Sequence, residues 1–275
     1  MQQDLARIAG ELRKKTFQAI TTAGGGHYGG SLSISEMLTV LYFREMKIFP
    51  EEPKSPERDR FILSKGHGGP ALYTTLAMKG FFPFQDVLDG LDKPLSNFPK
   101  HIDRLKLEGI EASTGPLGQG LSIGCGMAIT FLQQQKPNRV YVLAGDGECD
   151  SGQLWEAVMT AAKYRLGNLI MFIDRNNMQI DGACGEIMPT DPLDEKFASF
   201  GWITRKVDGH DVEQLGSAIA EIKKQQKKDP APGVIVACTV KGRGISFMEN
   251  LPEWHSGNIT PEQYEQGMKE LEAAG

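Results

Sequence analysis

Two apolar runs in this sequence each end in polar residues of a kind that binds metal ions and phosphates. VYVLAGDGECDSG (140–152) breaks at Gly145-Asp146-Gly147, and LIMFIDRNNMQIDG (169–182) breaks at Asn176-Asn177, thirty positions beyond Asp146. Mg²⁺ prefers hard oxygens and is usually held by one or two carboxylates together with substrate phosphates. Asp146 offers a carboxylate, Asn176 an amide oxygen, and Met178, just after Asn177, a backbone carbonyl. The two glycines lack Cβ atoms, which lets a diphosphate approach the main chain. A turn leading into an N-capped helix explains either motif alone, but the pair favours a metal–diphosphate site.

Four of the five histidines lie in loops marked by glycine or proline. They are His27 in GGHYGG, His67 in KGHGG, His101 in FPKH and His255 in PEWH. A single histidine is more often a surface or structural residue, but imidazoles grouped in one site are suited to proton transfer near neutral pH. The fifth, His210 in VDGHD, precedes a predicted helix for which Asp211 is a plausible N-cap, and it is predicted to be structural.

The elements that must position these residues follow from hydrophobic periodicity. Residues 140–144, 169–173 and 234–240 are short, β-rich and apolar on both faces, which is typical of parallel strands covered by helices. Helical spacing of apolar residues is found at 5–19, 117–135, 152–166 and 212–222. The prediction is one α/β domain over 1–275, a mostly parallel sheet with helices on both faces and loop-rich inserts near 80–115 and 183–200. Ligands bind beyond the carboxyl ends of the strands in such sheets, where both polar motifs fall.

Composition excludes several classes of function. The net charge of −5 gives no basic footprint for nucleic acid, and no apolar run approaches the roughly 20 residues of a membrane span. The N-terminal MQQDLARIAGELRKK lacks the apolar segment of a secretory signal. The four cysteines are scattered without a CxxC pair, so reduced thiols and a cytoplasmic location are expected, with no reactive role for Cys149.

Residues 24–29, GGGHYG, match the dinucleotide pattern GxGxxG, but they follow a predicted helix instead of a strand, which argues against nicotinamide binding.

The pairing of GDG with NN about thirty residues later is the thiamine diphosphate fingerprint, and the chain resembles the N-terminal part of transketolase. The resemblance runs almost end to end, because seven motifs occur in family order: GGGHYGG, DRFILSKGHGG, STGPLGQG, GDGECDSGQLWEA, DRNNMQIDG, VDGHD and VKGRGISFMENLPEWH. It implies the thiamine diphosphate-binding fold, with thiamine diphosphate and Mg²⁺ (or Ca²⁺ or Mn²⁺) as cofactors.

The resemblance also implies a role for each site residue. His27, His101 and His255 are expected to be catalytic and to face the sugar substrate. The expected metal ligands are Asp146, Asn176 and the carbonyl of Met178. The expected cofactor-binding residues are His67, Gly115, Pro116, Leu117, Gly145, Gly147, Glu148, Asn176 and His255, with the backbone of residues 115–117 lying along the cofactor rings.

In the family, these residues transfer a two-carbon ketol unit from a ketose to an aldose, usually as sugar phosphates of the pentose phosphate pathway. The glutamate that activates the cofactor, and most residues that bind the acceptor phosphate, belong to a second, pyrimidine-binding domain. The expectation is therefore that this chain is the N-terminal subunit of a split transketolase, active only with a C-terminal partner subunit in an α2β2 assembly. Ser151 is a departure from the acidic residue that related short chains carry, whereas Glu156 keeps the second acidic position.

Two other functions remain open. One is a related thiamine diphosphate transferase of the deoxyxylulose-phosphate synthase type, against which PLGQG and PEWH argue. The other is a non-catalytic relic of the fold, against which the retained metal ligands and four histidines argue.

Overall fold

The computed structural model describes residues 4–180 and 182–273 of the chain, which form a layered α/β structure around one parallel sheet. The strands are β1 Arg60–Leu63, β2 Val140–Gly145, β3 Leu169–Arg175, β4 Ile203–Asp208 and β5 Gly233–Cys238. The helices are α1 Leu5–Thr22, α2 Gly29–Leu32, α3 Ser35–Val40, α4 Gly69–Lys79, α5 Phe84–Gly90, α6 Gly120–Gln133, α7 Gly152–Lys163, α8 Cys184–Ile187, α9 Leu193–Ser199, α10 Val212–Gln226 and α11 Pro261–Ala273. Short 3₁₀ turns lie at Gly66–Gly68, Gly147–Asp150 and Pro252–His255, and a π-helical turn lies at Leu41–Glu45.

The sheet has the strand order β1-β2-β3-β5-β4, and every pair in it is parallel. The three strands predicted from apolar runs form its centre, where helices cover both faces. β4 was not predicted from the sequence, because four of its six residues (ITRKVD) are polar and it contains no apolar run. As an edge strand it pairs with β5 alone, and Arg205 donates hydrogen bonds to Glu221 and Gln225 of α10.

Successive residues along each strand enter two different cores. Tyr141, Leu143 and Phe172 pack on the side of α1, α3, α4 and α10, whereas Val142 and Met171 pack on the side of α6, α7 and α9. All five are fully buried, and burying an aliphatic or aromatic side chain of this size contributes roughly 1.5–3 kcal/mol. This alternation explains why the central strands read as continuously apolar.

One close approach between helix and sheet depends on a glycine. Gly124 lies in α6 directly over β2, and a Cβ atom there would lie 2.6 Å from Cγ2 of Val142. The small residues at the start of α6 therefore allow it to pack tightly on the sheet. The two loop-rich inserts contain the short helices α5, α8 and α9, so they are more regular than their sequences suggested.

No helix in the described ranges is long and apolar enough to cross a membrane.

Candidate functional site

A cavity of about 370 Å³ opens at the carboxyl edge of the sheet. Its walls come from the loop before α2, the SKGHGG segment after β1, the segment before α6, the Gly-Asp-Gly turn after β2, the Asn-Asn loop after β3, and Lys241 and His255 beyond β5. The cavity therefore lies where an open α/β sheet binds its ligands. All the catalytic, metal-binding and cofactor-binding residues predicted from the sequence line this cavity, except Pro116. That residue is exposed and is not among the lining residues.

Asp146 and Asn176 converge in this cavity, as predicted. The Asp146 carboxylate accepts hydrogen bonds from the backbone N–H of Gly147 at 2.9 Å and of Asn177 at 2.5 Å. The two side chains are only 3% and 6% exposed. Burial, together with the charge of the neighbouring Asp174, raises the pKa of Asp146 to about 6. A buried carboxylate that is costly to ionise is one that a bound cation would stabilise.

The metal site would depend on few protein ligands. In the described part of the chain, no three His, Cys, Asp or Glu side chains come together as a metal cluster. The Asp146 carboxylate, the Asn176 amide oxygen and the Met178 carbonyl leave other positions for phosphate oxygens or water, which suits Mg²⁺. The Asn176 oxygen accepts a hydrogen bond from the backbone N–H of Met178 at 3.1 Å, so it already points toward the same loop.

Asp174 orients the Asn176 side chain through a hydrogen bond to its amide nitrogen. This role was not predicted from the sequence. One carboxylate oxygen accepts from Asn176 Nδ2 at 2.9 Å, Lys65 Nζ at 2.6 Å and Ser33 Oγ at 2.7 Å, and the other accepts from Thr239 Oγ1 at 2.5 Å. Burial would raise the pKa of Asp174, but Lys65 and the hydrogen bonds hold it below its ordinary value. Because the amide nitrogen is occupied by Asp174, the amide oxygen is left to face the cavity.

The four loop histidines form one cluster. The ring centroid of His27 lies 5.4 Å from that of His67, 5.6 Å from that of His101 and 5.4 Å from that of His255. Burial, together with neighbouring imidazoles and lysines, lowers the pKa of His27 and of His255 to about 4. The pKa of His67 is also well below its ordinary value, first through burial. These three imidazoles are therefore neutral at pH 7, a state that both accepts and donates protons.

Two buried lysines line the cavity, and sequence reasoning missed both. Lys65 pairs with Asp174, whereas Lys241 Nζ lies 3.1 Å from the Gln179 carbonyl oxygen and 3.2 Å from His255 Nδ1. Burial, together with the charge of Lys65, lowers the pKa of Lys241 to about 8. The signals in the sequence were weak: Lys65 directly precedes GHGG after a strand, and Lys241 follows the last apolar run.

These features fit a diphosphate bound with a metal ion. A Cβ atom at Gly145 would meet nothing within 4 Å, so an anion has room against the main chain. Two lysines supply positive charge, and Asp146 with Asn176 supplies hard oxygens. Among the described residues, the buried Nδ1 of His27 has no hydrogen-bond partner. That ring therefore retains a hydrogen-bonding atom for a ligand.

The loop before α6 forms another wall of the cavity. Thr114 Oγ1 donates to the Leu63 carbonyl at 2.7 Å, and Gly115 and Leu117 line the cavity. Gly118 has φ +84°, a conformation that favours glycine, and a Cβ atom there would lie 2.1 Å from Ser151 Oγ. The unusual Ser151 thus contacts the base of this loop, whereas Glu156 is exposed.

Three further predictions are confirmed outside the ligand-facing wall. His210 is structural, since its Nδ1 lies 3.1 Å from Glu36 Oε2 and its Nε2 accepts from Val240 N–H at 2.9 Å. Asp211 caps α10 by accepting from the backbone N–H groups of Glu213 and Gln214. Burial raises the pKa of Cys149 well above its ordinary value, which disfavours the reactive thiolate, as the sequence analysis expected.

A family model described as "Transketolase, thiamine diphosphate binding domain" matches residues 5–271. The 6-deoxy-6-sulfo-D-fructose transketolase subunit of Clostridium sp. (strain MSTE9) is 47% identical over 274 residues, which cover 100% of this chain and 98% of that one. The apulose-4-phosphate transketolase subunit of Phocaeicola vulgatus is 39% identical, over 94% of this chain and 90% of that one.

One-chain transketolases match over a smaller share of their length. Human transketolase is 37% identical over 98% of this chain but 42% of its own. The crystal structure of Pichia stipitis transketolase with sedoheptulose 7-phosphate superposes with a TM-score of 0.91 at 28% identity, over 98% of this chain and 40% of that one. The chain therefore belongs to the transketolase family, in which it corresponds to the thiamine diphosphate-binding domain.

Proposed function

We propose that this chain is the diphosphate-binding subunit of a two-chain transketolase, with residues 1–275 as a single domain. In this function the complex transfers a two-carbon ketol unit from a ketose to an aldose. The observation that carries the proposal is the cavity in which Asp146 and Asn176 meet four imidazoles and two buried lysines. The relatives named as separate transketolase subunits match this chain over nearly their whole length, which supports the two-chain arrangement.

The residues divide between holding the cofactor and handling protons. Bound thiamine diphosphate would supply the carbanion chemistry of the reaction. Asp146, Asn176 and the Met178 carbonyl would hold Mg²⁺. Lys241 and His67, with the main chain at Gly145, Gly147 and Glu148, would hold the diphosphate, and residues 115–117 would lie along the rings.

The remaining histidines would serve the sugar. His27 lies close to both His101 and His255, all three line the cavity, and His101 is exposed. Imidazoles in this position are suited to move protons to and from sugar hydroxyl and carbonyl oxygens. His255 also contacts Lys241, so in this proposal it would lie between the diphosphate and the sugar.

The partner would complete the cavity. Leu117, Ile180 and Ile187 line its rim and are exposed, which suits a surface covered by a second chain. The single glutamate among the lining residues is Glu148, whose carboxylate is occupied by Ser64, Gly118 and Gly145. The glutamate that activates the cofactor would thus come from a C-terminal subunit, in an α2β2 assembly located in the cytoplasm.

The proposed donor is a ketose with an anionic substituent, because two relatives are named for a sulfonated ketose and for apulose 4-phosphate. The acceptor is proposed to be an aldose phosphate. The test is to assay the purified chain with Mg²⁺ and thiamine diphosphate, before and after adding its partner. Xylulose 5-phosphate or 6-deoxy-6-sulfofructose serves as donor and ribose 5-phosphate as acceptor.

The proposal expects turnover only after the partner subunit has been added to the chain. Robust turnover by the isolated chain would refute the two-chain arrangement. Decarboxylation of pyruvate by the complex would instead indicate an enzyme of the deoxyxylulose-phosphate synthase type. Asp146→Ala is the inactive control and Asp150→Asn the matched active one, since Asp150 is exposed on the same short turn.

A further inference from the structure

Glu148 is a buried carboxylate whose hydrogen-bond partners are all donors. It is 3% exposed. Oε1 accepts from the backbone N–H of Gly118 at 2.8 Å and from the Ser64 hydroxyl, and Oε2 accepts from the backbone N–H of Gly145 at 3.1 Å. One side chain therefore joins three segments of the cavity wall: the end of β1, the end of β2 and the loop before α6.

Ser64 extends this connection to the start of α6. Its Oγ accepts from the backbone N–H of Gly120 at 3.1 Å, so its hydroxyl hydrogen is directed to Glu148. A Cβ atom at Gly120 would lie 2.4 Å from Ser64 Oγ, which shows how closely the two segments approach. The amides of Gly118 and Gly120 are thus both held by the Glu148–Ser64 pair.

The chemistry of these bonds requires a carboxylate. Three donors converge on two oxygens, and an ionised carboxylate is a pure acceptor. A glutamine of the same shape would turn an NH₂ group toward one of these donors, leaving a buried donor unsatisfied.

The loop between these anchors carries the wall of the cavity. Thr114 fixes its first half to Leu63, and Glu148 fixes its second half at Gly118. Gly115 and Leu117 lie between the two anchors and line the cavity. We propose that Glu148 is a positioning residue that fixes the loop of residues 113–120 in the conformation required for cofactor binding. The bonds of its side chain are the observation that assigns this role.

Hydrogen exchange of the full chain, resolved by residue with NMR, tests the proposal without cofactor. Glu148→Ala should speed exchange of the Gly118 amide by about ten-fold or more, because that amide loses its acceptor, and it should speed exchange at Gly120 less, because Ser64 remains. The amides of β3 should exchange as in the wild type. Asp150→Asn, on the same turn but exposed, is the matched control and should change neither. Unchanged exchange at Gly118, or a uniform increase that includes β3, would overturn the proposal.

Ser64→Ala provides a second variant if Glu148→Ala does not fold. It removes the acceptor of Gly120 but leaves Gly118 bonded to Glu148, so exchange should rise more at Gly120 than at Gly118. An equal change in exchange rate at the two amides, relative to wild type, would contradict the assigned bonds.

A second test, which measures cofactor binding, rests on the proposed function. In the complex with the partner, Glu148→Ala should raise the KM for thiamine diphosphate by about ten-fold while kcat at saturating cofactor stays within a few-fold of wild type. Calorimetry should show the same loss of affinity. Faster exchange with unchanged affinity would overturn the link between the loop and the cofactor. Failure of the wild-type complex to bind thiamine diphosphate would refute the proposed function, while the exchange result would still decide whether Glu148 fixes the loop.

Discussion

Replacement of Lys241 by methionine is expected to stabilise the chain without cofactor and to weaken cofactor binding. Lys241 is 2% exposed, and burial lowers its pKa from an ordinary 10.5 to about 8. That difference corresponds to roughly 3 kcal/mol of penalty for keeping the charge in the folded chain. Methionine keeps an unbranched stem but loses the hydrogen bond to Gln179. That loss reduces the gain in the free energy of unfolding by about 1 kcal/mol. The net expected gain is about 2 kcal/mol at pH 7.

The sign of the effect follows from the two pKa values. Below pH 8, Lys241 is charged in both the folded and the unfolded chain, so the folded chain carries the full penalty. Between about pH 8 and 10.5, the unfolded chain holds a proton that the folded chain has released, so stability rises with pH. Above that range the penalty is gone. The gain in Lys241→Met should therefore be largest at neutral pH and should disappear toward pH 10.5.

Urea unfolding of the chain without cofactor, at pH 7 and at pH 10, measures this difference. Lys224→Met is the control, since Lys224 is exposed on α10 and its replacement should have little effect at either pH. Calorimetry of the complex should show at least about ten-fold weaker binding of thiamine diphosphate to Lys241→Met, because a buried cation beside the diphosphate is lost. A variant less stable than wild type at pH 7, or a gain that does not shrink with pH, would refute the reasoning.

Three other predictions concern the metal ligands and the histidines. Asp146→Ala should abolish Mg²⁺-dependent binding of thiamine diphosphate in calorimetry, and Asn176→Ala should weaken it less, because water can replace a neutral ligand. His27→Ala and His101→Ala should leave cofactor affinity near wild type while lowering kcat by about 10²–10⁴-fold; a parallel loss of affinity would show that they bind the cofactor. In the chain without cofactor, NMR should give titration midpoints near pH 4 for His27 and His255. Because these pKa values lie below the ordinary 6.5, the chain should lose stability as pH falls from about 6.5 to 4. Midpoints near 6.5 would contradict the assigned burial.

The centre of the sheet could be predicted from sequence because both faces of its strands are buried. The predicted strands 140–144 and 169–173 match β2 and β3 to within two residues. The prediction for 234–240 runs too far, since β5 ends at Cys238. Thr239 and Val240 then turn to bond Asp174 and His210. Apolar character alone does not distinguish a strand from a buried loop that follows it.

The site was predictable only where residue type and position both signalled it. Asp146 and Asn176 were found because polar groups at the ends of apolar strands meet at one edge of a parallel sheet. Lys65 and Lys241 were missed because lysine in a sequence is ordinarily a surface residue, and only the packing around them shows that they are buried. Asp174 was hidden at the end of an apolar run, although a carboxylate directly after five fully buried residues signals a buried partner.

The bridge between Gly26 and Gly257 has a consequence for how the chain is made. Gly26 N–H donates to the Gly257 carbonyl at 2.9 Å, and Gly257 N–H donates to the Gly26 carbonyl at 3.0 Å. The loop that carries His27 is thus joined to a segment synthesised more than two hundred residues later. Contacts of such sequence separation form late, because the intervening chain must first be ordered. A growing chain can build most of its sheet on the ribosome, but His27 meets His255 only after the segment around residue 257 has emerged. Binding of the cofactor would therefore report completed folding, and a chain truncated before that point would have a sheet without a working cavity.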